Sequence, residues 1–297
     1  MTSRISAPLQ FTKMHGIGND FVIVDDRDLR LPEGLLPALS RFLNDRRFGV
    51  GGDGLILLRP AKQADNDYAM RMLNPDGSEA EMCGNGIRCL AKFAYEGGVC
   101  GSLSPKVETA SGTLGLELGV ADNRVQSVTV EMGQARWRRR DIPVAGPPED
   151  SFVAQPVDLL GRTFIVTAVS MGNPHAVVPV IDAEHVPLHE WGPALETAPI
   201  FPQRINVHFL QTLSRSEIVQ RTWERGAGAT LACGTGACAC VAVGHKLGLV
   251  EREVTVHLPG GDLRVEVVGD FHMRMTGPAE AVFTGTIEPS FLESKLQ

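Results

Sequence analysis

The chain has 297 residues, 43% of them hydrophobic and 21% charged, which predicts two domains with their own cores and excludes disordered and collagen-like proteins. The net charge of −7 argues against a protein that binds nucleic acid by neutralising phosphates. Because the sequence has no apolar stretch of about 18 residues and its start lacks the apolar core of a signal peptide, we expect a cytoplasmic protein with no membrane partner.

Strand patterns dominate the first half of the chain. Short apolar or alternating stretches predict strands at residues 21–24, 55–58, 68–72, 114–118 and 128–132. Two stretches predict helices, at residues 35–45 and 85–96. The second helix stops at a Gly-Gly pair, which is typical of a helix C-terminus.

The second half repeats this pattern after residues 136–150, whose arginines and prolines are typical of a linker or an exposed edge. A solvated face is favoured there over an anion site. Strands are predicted at residues 163–170, 176–181, 205–210 and 218–223, with four more short strands up to residue 286. A helix is predicted at residues 236–247, before Gly248. We expect each half to be mostly strand, with one clear helix.

Two landmarks recur in the same order in both halves. Cys-Gly-Asn-Gly at residues 83–86 begins the first clear helix, and Cys-Gly-Thr-Gly at residues 233–236 begins the second, 150 positions later. A Gly-Asn pair precedes a strand at residues 18–19 and again at residues 172–173, an offset of 154. The repetition indicates an internal duplication and predicts two pseudo-symmetric domains.

A cysteine at the start of a helix suits proton transfer. The first N–H groups of a helix lack internal partners and carry partial positive charge, which stabilises a thiolate or a bound carboxylate. We therefore expect a lowered thiol pKa at both cysteines, and we expect the flanking glycines to let N–H groups approach an anion. One thiolate can remove the α-proton of an amino acid while the other thiol protonates the opposite face, which inverts the carbon.

The motifs that carry this chemistry also carry a resemblance. They are His-Gly-Ile-Gly-Asn-Asp-Phe at residues 15–21, Asn-Pro-Asp-Gly-Ser at 74–78, Met-Cys-Gly-Asn-Gly-Ile-Arg at 82–88, Gly-Asn-Pro-His at 172–175, Trp-Glu-Arg-Gly-Ala-Gly at 223–228 and Ala-Cys-Gly-Thr-Gly-Ala at 232–237. In this order, and over nearly the whole chain, the sequence resembles the diaminopimelate epimerase family.

The resemblance implies an α/β fold of the α+β type, with two pseudo-symmetric domains, each a mixed β-sheet wrapped around a central α-helix. The first domain would comprise residues 1–132 with a C-terminal segment at about 282–297, and the second residues 133–281, with the active site in the cleft between them. The resemblance also implies a homodimeric isomerase without a cofactor. Such an enzyme interconverts LL- and meso-2,6-diaminopimelate for lysine and peptidoglycan precursor synthesis.

The resemblance further assigns roles to individual residues. Cys83 and Cys233 would be the two acid–base thiols, and His175 and Glu224 would adjust their pKa values. The implied substrate-binding residues are Asn19, Asn74, Gly84, Asn85, Asn173, Asn206, Glu224, Arg225, Gly234 and Thr235. Residue chemistry agrees for two of them, because the guanidinium of Arg225 pairs with a distal carboxylate and Glu224 accepts from an ammonium group. Taken alone, His175 is equally compatible with a structural role, and the asparagines with ordinary turns.

Two positions depart from the family pattern. Gly54 lies where some members have a glutamine that contacts substrate, so we expect that contact to be absent or supplied by backbone. Ala229 lies where many relatives have glutamate, and its local role is open.

The remaining cysteines, histidines and glycine motifs favour structural roles. Four cysteines are expected to be buried small residues: Cys89, Cys100, Cys238 and Cys240. A metal site is not expected, because the sequence has no Cys-x-x-Cys pair, and Pro187 between His185 and His189 predicts a surface loop there. The glycine motifs lack a dinucleotide or P-loop fingerprint, so no nucleotide cofactor is expected.

Three other functions are open from the sequence. The first is a related cysteine-pair racemase that acts on proline or hydroxyproline, but a cyclic monocarboxylate needs no distal partner such as Arg225 or Glu224. The second is a thiol redox or peroxide-handling protein in which Cys83 and Cys233 form a reversible disulfide, which would not exchange α-hydrogens. The third is an amino-acid-binding module without catalysis, which would keep its affinity when either cysteine is replaced.

Overall fold

The structure is a computed structural model and describes residues 7–80 and 83–296. The chain divides into two units. The first unit ends at Val130 and resumes at Gly277, and the second runs from Glu131 to Thr276. No helix of the described residues combines the length and the apolar character that a membrane-spanning segment needs.

Strands contain more residues than helices in both units. The first elements are β1 (Leu9–Gly16), β2 (Asn19–Asp25), α1 (Leu36–Asn44), β3 (Gly54–Arg59), β4 (Tyr68–Leu73), β5 (Glu79–Ala80), α2 (Gly84–Glu96), β6 (Lys106–Thr109), β7 (Gly112–Ala121) and β8 (Arg124–Gln134). The next are β9 (Gln155–Leu159), β10 (Arg162–Ser170), β11 (Pro174–Pro179), α3 (Leu188–Glu196), β12 (Asn206–Thr212), β13 (Glu217–Glu224), β14 (Gly228–Thr230), α4 (Gly234–Lys246), β15 (Glu253–Leu258), β16 (Gly261–Val268) and β17 (His272–Gly277). The chain ends with β18 (Glu280–Ile287) and α5 (Pro289–Lys295), in the first unit.

A tight hairpin joins β1 to β2. Its turn residues, Ile17 and Gly18, both have positive φ, 48° and 84°, as a two-residue hairpin turn requires. Glycine takes this conformation without strain, whereas the β-branched side chain of Ile17 disfavours it. The turn places Asn19 at the first position of β2, opposite Gly16.

The core of the first unit lies between the sheet and α1. β2 is parallel to β3, with Phe21 opposite Gly54, and β3 is antiparallel to β4. Leu36, Leu39 and Leu43 lie on one face of α1 and pack in a cluster with apolar residues of β1, β2 and β3. α2 lies against the same three strands.

The second unit repeats the order of these elements. β10 and β11 form an antiparallel pair, β11 is parallel to β12 with His175 opposite Asn206, and β12 is antiparallel to β13. In both units a helix that begins directly after a cysteine then follows. Every residue of α4 from Ala237 to Val243 is buried, as expected for a helix at the centre of its unit.

The mixed α/β class predicted from the sequence is confirmed, and α1, α2 and α4 begin and end within two residues of the predicted positions. The prediction of a single clear helix in the second half is wrong, because α3 also forms. α3 begins directly after Pro187, and a proline is tolerated there because the first turn of a helix needs no N–H partner. His185 lies in an exposed loop as predicted, but His189 belongs to α3.

Candidate active site

Cys83 lies at the N-terminus of α2, in the first unit. Its backbone is extended (φ −140°, ψ 115°), and the N–H of Gly86 donates to its Sγ over 3.4 Å. The thiol lies 3.7 Å from Asn19 Oδ1, to which it donates. The side chain is partly exposed. The sulfur is thus held at the positive end of the helix, where a ligand can reach it.

Asn19 links several groups around this thiol. Its Oδ1 also accepts from Asn85 Nδ2 at 3.1 Å, and its Nδ2 donates to Asp53 Oδ2 at 2.8 Å. Asp53 accepts as well from the N–H of Asp20 at 3.1 Å. A carboxylate pairs only with the NH₂ end of an amide, so Asp53 fixes the orientation of Asn19. Asp53 was not predicted from the sequence, although it directly precedes Gly54.

Arg88 is buried within α2 and orients the first turn of that helix. It donates to Gly84 O at 3.0 Å, to Asn85 Oδ1 at 3.0 Å and to Pro278 O at 3.2 Å. A buried guanidinium needs such partners, so these bonds fix the position of its neighbours. Because Asn85 Oδ1 faces Arg88, its Nδ2 faces Asn19. Arg88 lies in a motif that supports the resemblance, but the sequence reasoning gave it no role.

Asn74 and Gly54 complete the first unit's predicted positions. The N–H of Asn74 donates to Ser78 O at 2.8 Å and its Nδ2 to Ser78 Oγ at 3.0 Å, so its side chain holds a turn and its contact with substrate stays a prediction. A Cβ at Gly54 would lie 2.9 Å from Met72 Cε and 3.1 Å from Leu73 O. A glutamine therefore does not fit at Gly54 without a shift of its neighbours.

Cys233 lies at the N-terminus of α4, in the second unit. Its backbone is extended (φ −133°, ψ 102°), like that of Cys83, but the residue is only 6% exposed. Its Sγ lies 3.7 Å from Thr235 Oγ1. The two cysteines thus share an extended backbone and a place directly before a helix, but their side chains have different surroundings.

The expected lowering of the thiol pKa is wrong for Cys233. Burial raises the pKa of this thiol well above its usual value, and the negative charge of Glu224 raises it further. Hydrogen bonds from Thr235 and from the N–H of Gly236 act in the opposite direction but are the smaller effects. Because the cost of burying a thiolate exceeds the benefit of the helix N-terminus, the group is a protonated thiol at neutral pH.

A hydrogen-bonded chain of side chains begins next to Cys233. Asn173 Nδ2 donates to Thr235 Oγ1 at 3.4 Å, and Asn173 Oδ1 lies 2.7 Å from His175 Nε2. The structure therefore brings together Asn173, His175 and Thr235, three residues that the sequence reasoning named. Their contacts with a substrate stay predictions.

The chain continues through residues that the sequence reasoning did not name. His175 Nδ1 lies 2.8 Å from His208 Nε2, and His208 Nδ1 lies 3.0 Å from Thr222 Oγ1 and 3.3 Å from Gln220 Nε2. Burial lowers the pKa of both imidazoles, to about 3 for His208, so both are neutral at physiological pH. The available sequence signal was a pair of polar residues two positions apart in each of two consecutive predicted strands, at residues 206 and 208 and at residues 220 and 222.

Asn206 holds the backbone of the same unit. Its Nδ2 donates to Pro174 O at 2.8 Å, and its Oδ1 accepts from the N–H of Arg225 at 2.9 Å. The Arg225 side chain is exposed and donates to Gln203 O at 3.3 Å. Asn206 thus positions Arg225, and its direct contact with substrate stays a prediction.

Glu196, at the end of α3, anchors the turn that carries Glu224 and Arg225. It accepts from Trp223 Nε1 at 2.8 Å and from the N–H of Gly226 at 3.0 Å. Glu196 is 6% exposed, so these bonds lie in a largely dry environment that strengthens them. The helix that the sequence reasoning missed therefore supplies a support for two predicted site residues.

Outside these clusters, Cys89, Cys238 and Cys240 are buried as predicted, but the prediction is wrong for Cys100. Cys100 is partly exposed, because it follows the end of α2 instead of lying inside a helix. Ala229 is exposed, and nothing in the structure explains its difference from glutamate.

Comparison with known sequences identifies the family. A model of the diaminopimelate epimerase family matches residues 11–138 and 167–282. A diaminopimelate epimerase of Pelotomaculum thermopropionicum is 50% identical over 277 residues, which cover 93% of this chain and 98% of that protein. A diaminopimelate epimerase of Moorella thermoacetica is 48% identical over 278 residues, with the same coverage. The chain belongs to the diaminopimelate epimerase family. The resemblance stated from the motifs is confirmed, and the chain is an isomerase.

Solved structures with the same fold include two proteins of low sequence identity. A hydroxyproline epimerase from Agrobacterium vitis, with bound trans-4-hydroxy-L-proline, has a TM-score of 0.72 and 18% identity over 96% of this chain and 94% of that one. A phenazine biosynthesis protein of the PhzF family from Bacillus anthracis has a TM-score of 0.68 and 16% identity over 95% of this chain and 99% of that one. These likenesses confirm the predicted diaminopimelate epimerase-like fold.

Proposed function

We propose that the protein interconverts LL- and meso-2,6-diaminopimelate with Cys83 and Cys233 as the two acid–base groups. One observation carries the proposal: in a chain of this family, each unit places a cysteine directly before a helix N-terminus. One thiolate takes the α-proton, and the other thiol gives its proton to the opposite face of the same carbon. One proton moves from carbon to sulfur and one from sulfur to carbon, so no oxidant, reductant or cofactor is needed.

The helix N-termini suit the charge that develops in this reaction. When the α-proton leaves, negative charge spreads onto the α-carboxylate, and fixed N–H donors aimed at that group lower the barrier. The donors proposed in the first unit are the N–H groups of Gly84 and Asn85, and those in the second unit are the N–H groups of Gly234 and Thr235. Glycine at the first position of each helix has no Cβ that would block the approach of a ligand to these N–H groups.

Glu224 couples the acidity of Cys233 to the substrate. Its negative charge raises the pKa of the thiol, and an ammonium group bound against Glu224 neutralises that charge. Cys233 is therefore a protonated acid in the empty site and becomes a better proton acceptor when the substrate binds. This behaviour suits a residue that must serve as acid in one direction and as base in the other.

Arg225 favours diaminopimelate over a cyclic amino acid. The residue is exposed at the turn that Asn206 and Glu196 hold, so its guanidinium is available to a second carboxylate. Proline and hydroxyproline have no second carboxylate or second ammonium group. The fold shared with a hydroxyproline epimerase does not decide the substrate, and the charged turn supports diaminopimelate.

The test is α-hydrogen exchange in heavy water. The protein is incubated with LL-diaminopimelate, trans-4-hydroxy-L-proline or L-proline under reductant, and deuterium at the α-carbon and stereochemistry are followed. We expect both to change for diaminopimelate alone, in wild type and in a Cys100→Ala control. No exchange with diaminopimelate would overturn the proposal. Exchange with the proline substrates alone would favour a proline or hydroxyproline racemase, and peroxide consumption without exchange would favour a thiol redox protein.

The assembly and location stay proposals that rest on the family. We propose a homodimer in the cytoplasm, with residues 1–132 plus the C-terminal segment and residues 133–281 as the two epimerase domains that share one active site. Light scattering is expected to give twice the chain mass of 32.0 kDa. A monomer mass at assay concentration would contradict the dimer.

A further inference from the structure

We propose that His208 and Gln220 are positioning residues, which set the direction of the hydrogen bonds behind Cys233. Because of this direction, the hydroxyl of Thr235 donates to the Cys233 sulfur and not to Asn173. The inference rests on the proposed function, since it gives the Cys233 thiolate a dedicated donor.

The direction of the chain follows first from Asn173. Its Oδ1 can only accept, so the proton between Asn173 and His175 lies on His175 Nε2, at 2.7 Å. A neutral imidazole carries one proton, and the Nδ1 of His175 is therefore an acceptor. Neutrality holds because the ring is fully buried.

The same reasoning fixes the tautomer of His208. Its Nε2 faces the acceptor Nδ1 of His175 at 2.8 Å, so it carries the proton. The Nδ1 of His208 then has a lone pair, which faces Gln220 Nε2 at 3.3 Å and the hydroxyl of Thr222 at 3.0 Å. Gln220 Nε2 can only donate, and it also donates to Thr222 Oγ1 at 2.9 Å, which leaves the Thr222 hydrogen for His208. Gln220 thus specifies the tautomer at the closed end of the chain.

The open end of the chain points at the sulfur. Asn173 Oδ1 is used by His175, so its NH₂ group faces Thr235 Oγ1 at 3.4 Å and donates to it. The single hydroxyl hydrogen of Thr235 is then available for Cys233 Sγ, at 3.7 Å. A donor at this distance favours the thiolate over the thiol. If the chain ran in the other direction, Thr235 would donate to Asn173, and the sulfur would lose its side-chain donor and keep only the N–H of Gly236.

The first unit shows that the fold does not require these polar residues. In β2, β3 and β4, the register positions that correspond to them hold what we term the apolar set: Phe21, Ile56, Met70 and Met72. The corresponding residues of the second unit are the polar set: His175, His208, Gln220 and Thr222. Members of both sets are at most 6% exposed. Burying four polar side chains costs free energy that their hydrogen bonds only offset, and the other unit packs apolar residues at the same positions. A role in the site would explain why the second unit has them.

The decisive experiment reads the tautomers directly in the wild-type protein. Histidine is labelled with nitrogen-15, and long-range proton–nitrogen correlation spectra are recorded at neutral pH. The signals of residues 175 and 208 are assigned by their loss in the variants His175→Gln and His208→Gln. We expect a protonated Nε2 and an unprotonated Nδ1 in both rings. A proton on Nδ1 of either ring overturns the proposal, whether or not the protein is an epimerase.

The second experiment measures steady-state kinetics of two His208 variants. His208→Gln keeps a donor towards His175 and an acceptor towards Gln220, so we expect its kcat to stay within about threefold of wild type. His208→Leu removes both the donor and the acceptor. Since a hydrogen bond to a charged group changes an equilibrium or a rate by about 10- to 100-fold, we expect kcat to fall by about tenfold or more. KM should change less. His257→Leu, which removes a partly exposed imidazole of the same unit that pairs with Asp262, should leave kcat unchanged.

The outcomes separate this inference from the proposed function. If wild type does not turn over, the function fails and the spectra still decide the direction of the chain. If wild type turns over and both His208 variants lose activity equally, or neither does, the positioning role is wrong. Circular dichroism checks that His208→Leu is folded, and if it is not, the tautomers of wild type and the activity of His208→Gln decide.

Discussion

The helices that follow Cys83 and Cys233 occupy corresponding places in their units but rest on different surfaces. Beneath the first turn of α2, a Cβ at Gly86 would meet Ile56 Cδ1 at 2.8 Å. Beneath the first turn of α4, a Cβ at Gly236 would meet His208 Cε1 at 2.3 Å. One helix therefore packs on hydrocarbon, and the other packs directly on the buried chain of hydrogen bonds.

This difference teaches that a repeated backbone does not impose repeated chemistry. The apolar set is stable by packing alone, whereas each member of the polar set must find a hydrogen-bond partner to be tolerated in the core. It also revises the sequence-based view of the Gly-x-Gly motif. Gly236 is needed because an imidazole lies against it, in addition to any approach of a ligand.

The largest expected effect tests whether both cysteines are required. Cys83→Ser and Cys233→Ser are each expected to lower turnover about 10²- to 10⁴-fold, because a serine hydroxyl is a far weaker acid than a thiol. Steady-state epimerisation of LL-diaminopimelate measures this, with Cys100→Ser as the control for loss of a thiol elsewhere. A near-normal rate in either variant removes that cysteine from its role.

The next effect compares the two glycines. Gly236→Ala is expected to lower the free energy of unfolding by about 1–3 kcal/mol, because the new Cβ also lies 2.9 Å from Gln220 Nε2 and no neighbour can move without breaking a hydrogen bond. Gly86→Ala meets the end of a flexible side chain and gains helix propensity, so its change should stay below about 1 kcal/mol. Urea unfolding of both variants measures the difference, and equal losses would contradict the contrast.

The polar set should also make the second unit sensitive to acid. The unfolded chain protonates its histidines near pH 6.5, whereas burial keeps His175 and His208 neutral in the folded state, with a pKa of about 3 for His208. The unfolded state thus binds more protons. The contribution of these neutral rings to the free energy of unfolding is therefore fully present above pH 6.5 and is lost as the pH drops below it. Each ring contributes about 1.4 kcal/mol per pH unit.

Urea unfolding between pH 7.5 and 5 measures this acid sensitivity. His208→Gln should have a shallower pH dependence than wild type by the amount that one proton contributes. An unchanged slope would show that His208 already takes up a proton in the folded protein.

The smallest expected effect is that of Thr222→Val. The substitution removes one hydroxyl at nearly constant volume, and Gln220 still donates to His208 Nδ1. We expect kcat to change by less than about threefold, since a neutral hydrogen bond contributes about 1 kcal/mol or less. A loss as large as that of His208→Leu would move the controlling donor from Gln220 to Thr222.

The sequence predicted those elements whose signals are local. α2 and α4 were found because a capping residue, glycines and an apolar run lie next to one another in the chain. α3 was missed because Pro187 and Pro193 are local signals against a helix, and only its packing reveals that it forms. The cysteines were found because the same short motif occurs twice.

The polar set could not be predicted because its members meet only through strand register. His175 and His208 are 33 positions apart and become neighbours when β11 and β12 pair in parallel. The prediction of a lowered thiol pKa for Cys233 was wrong for a related reason. The helix N-terminus is visible in the sequence, but burial and the proximity of Glu224 depend on the folded chain.

The side chain of Asn206 links two separate segments of the second unit. A single amide bridges the N–H of Arg225 and the carbonyl of Pro174, the residue that separates Asn173 from His175. Two hydrogen bonds, of 2.9 and 2.8 Å, therefore join the turn of Arg225 to the residue that follows Asn173. Asn206 thus connects Arg225 to the segment that carries Asn173, whose amide donates to the Thr235 hydroxyl beside Cys233.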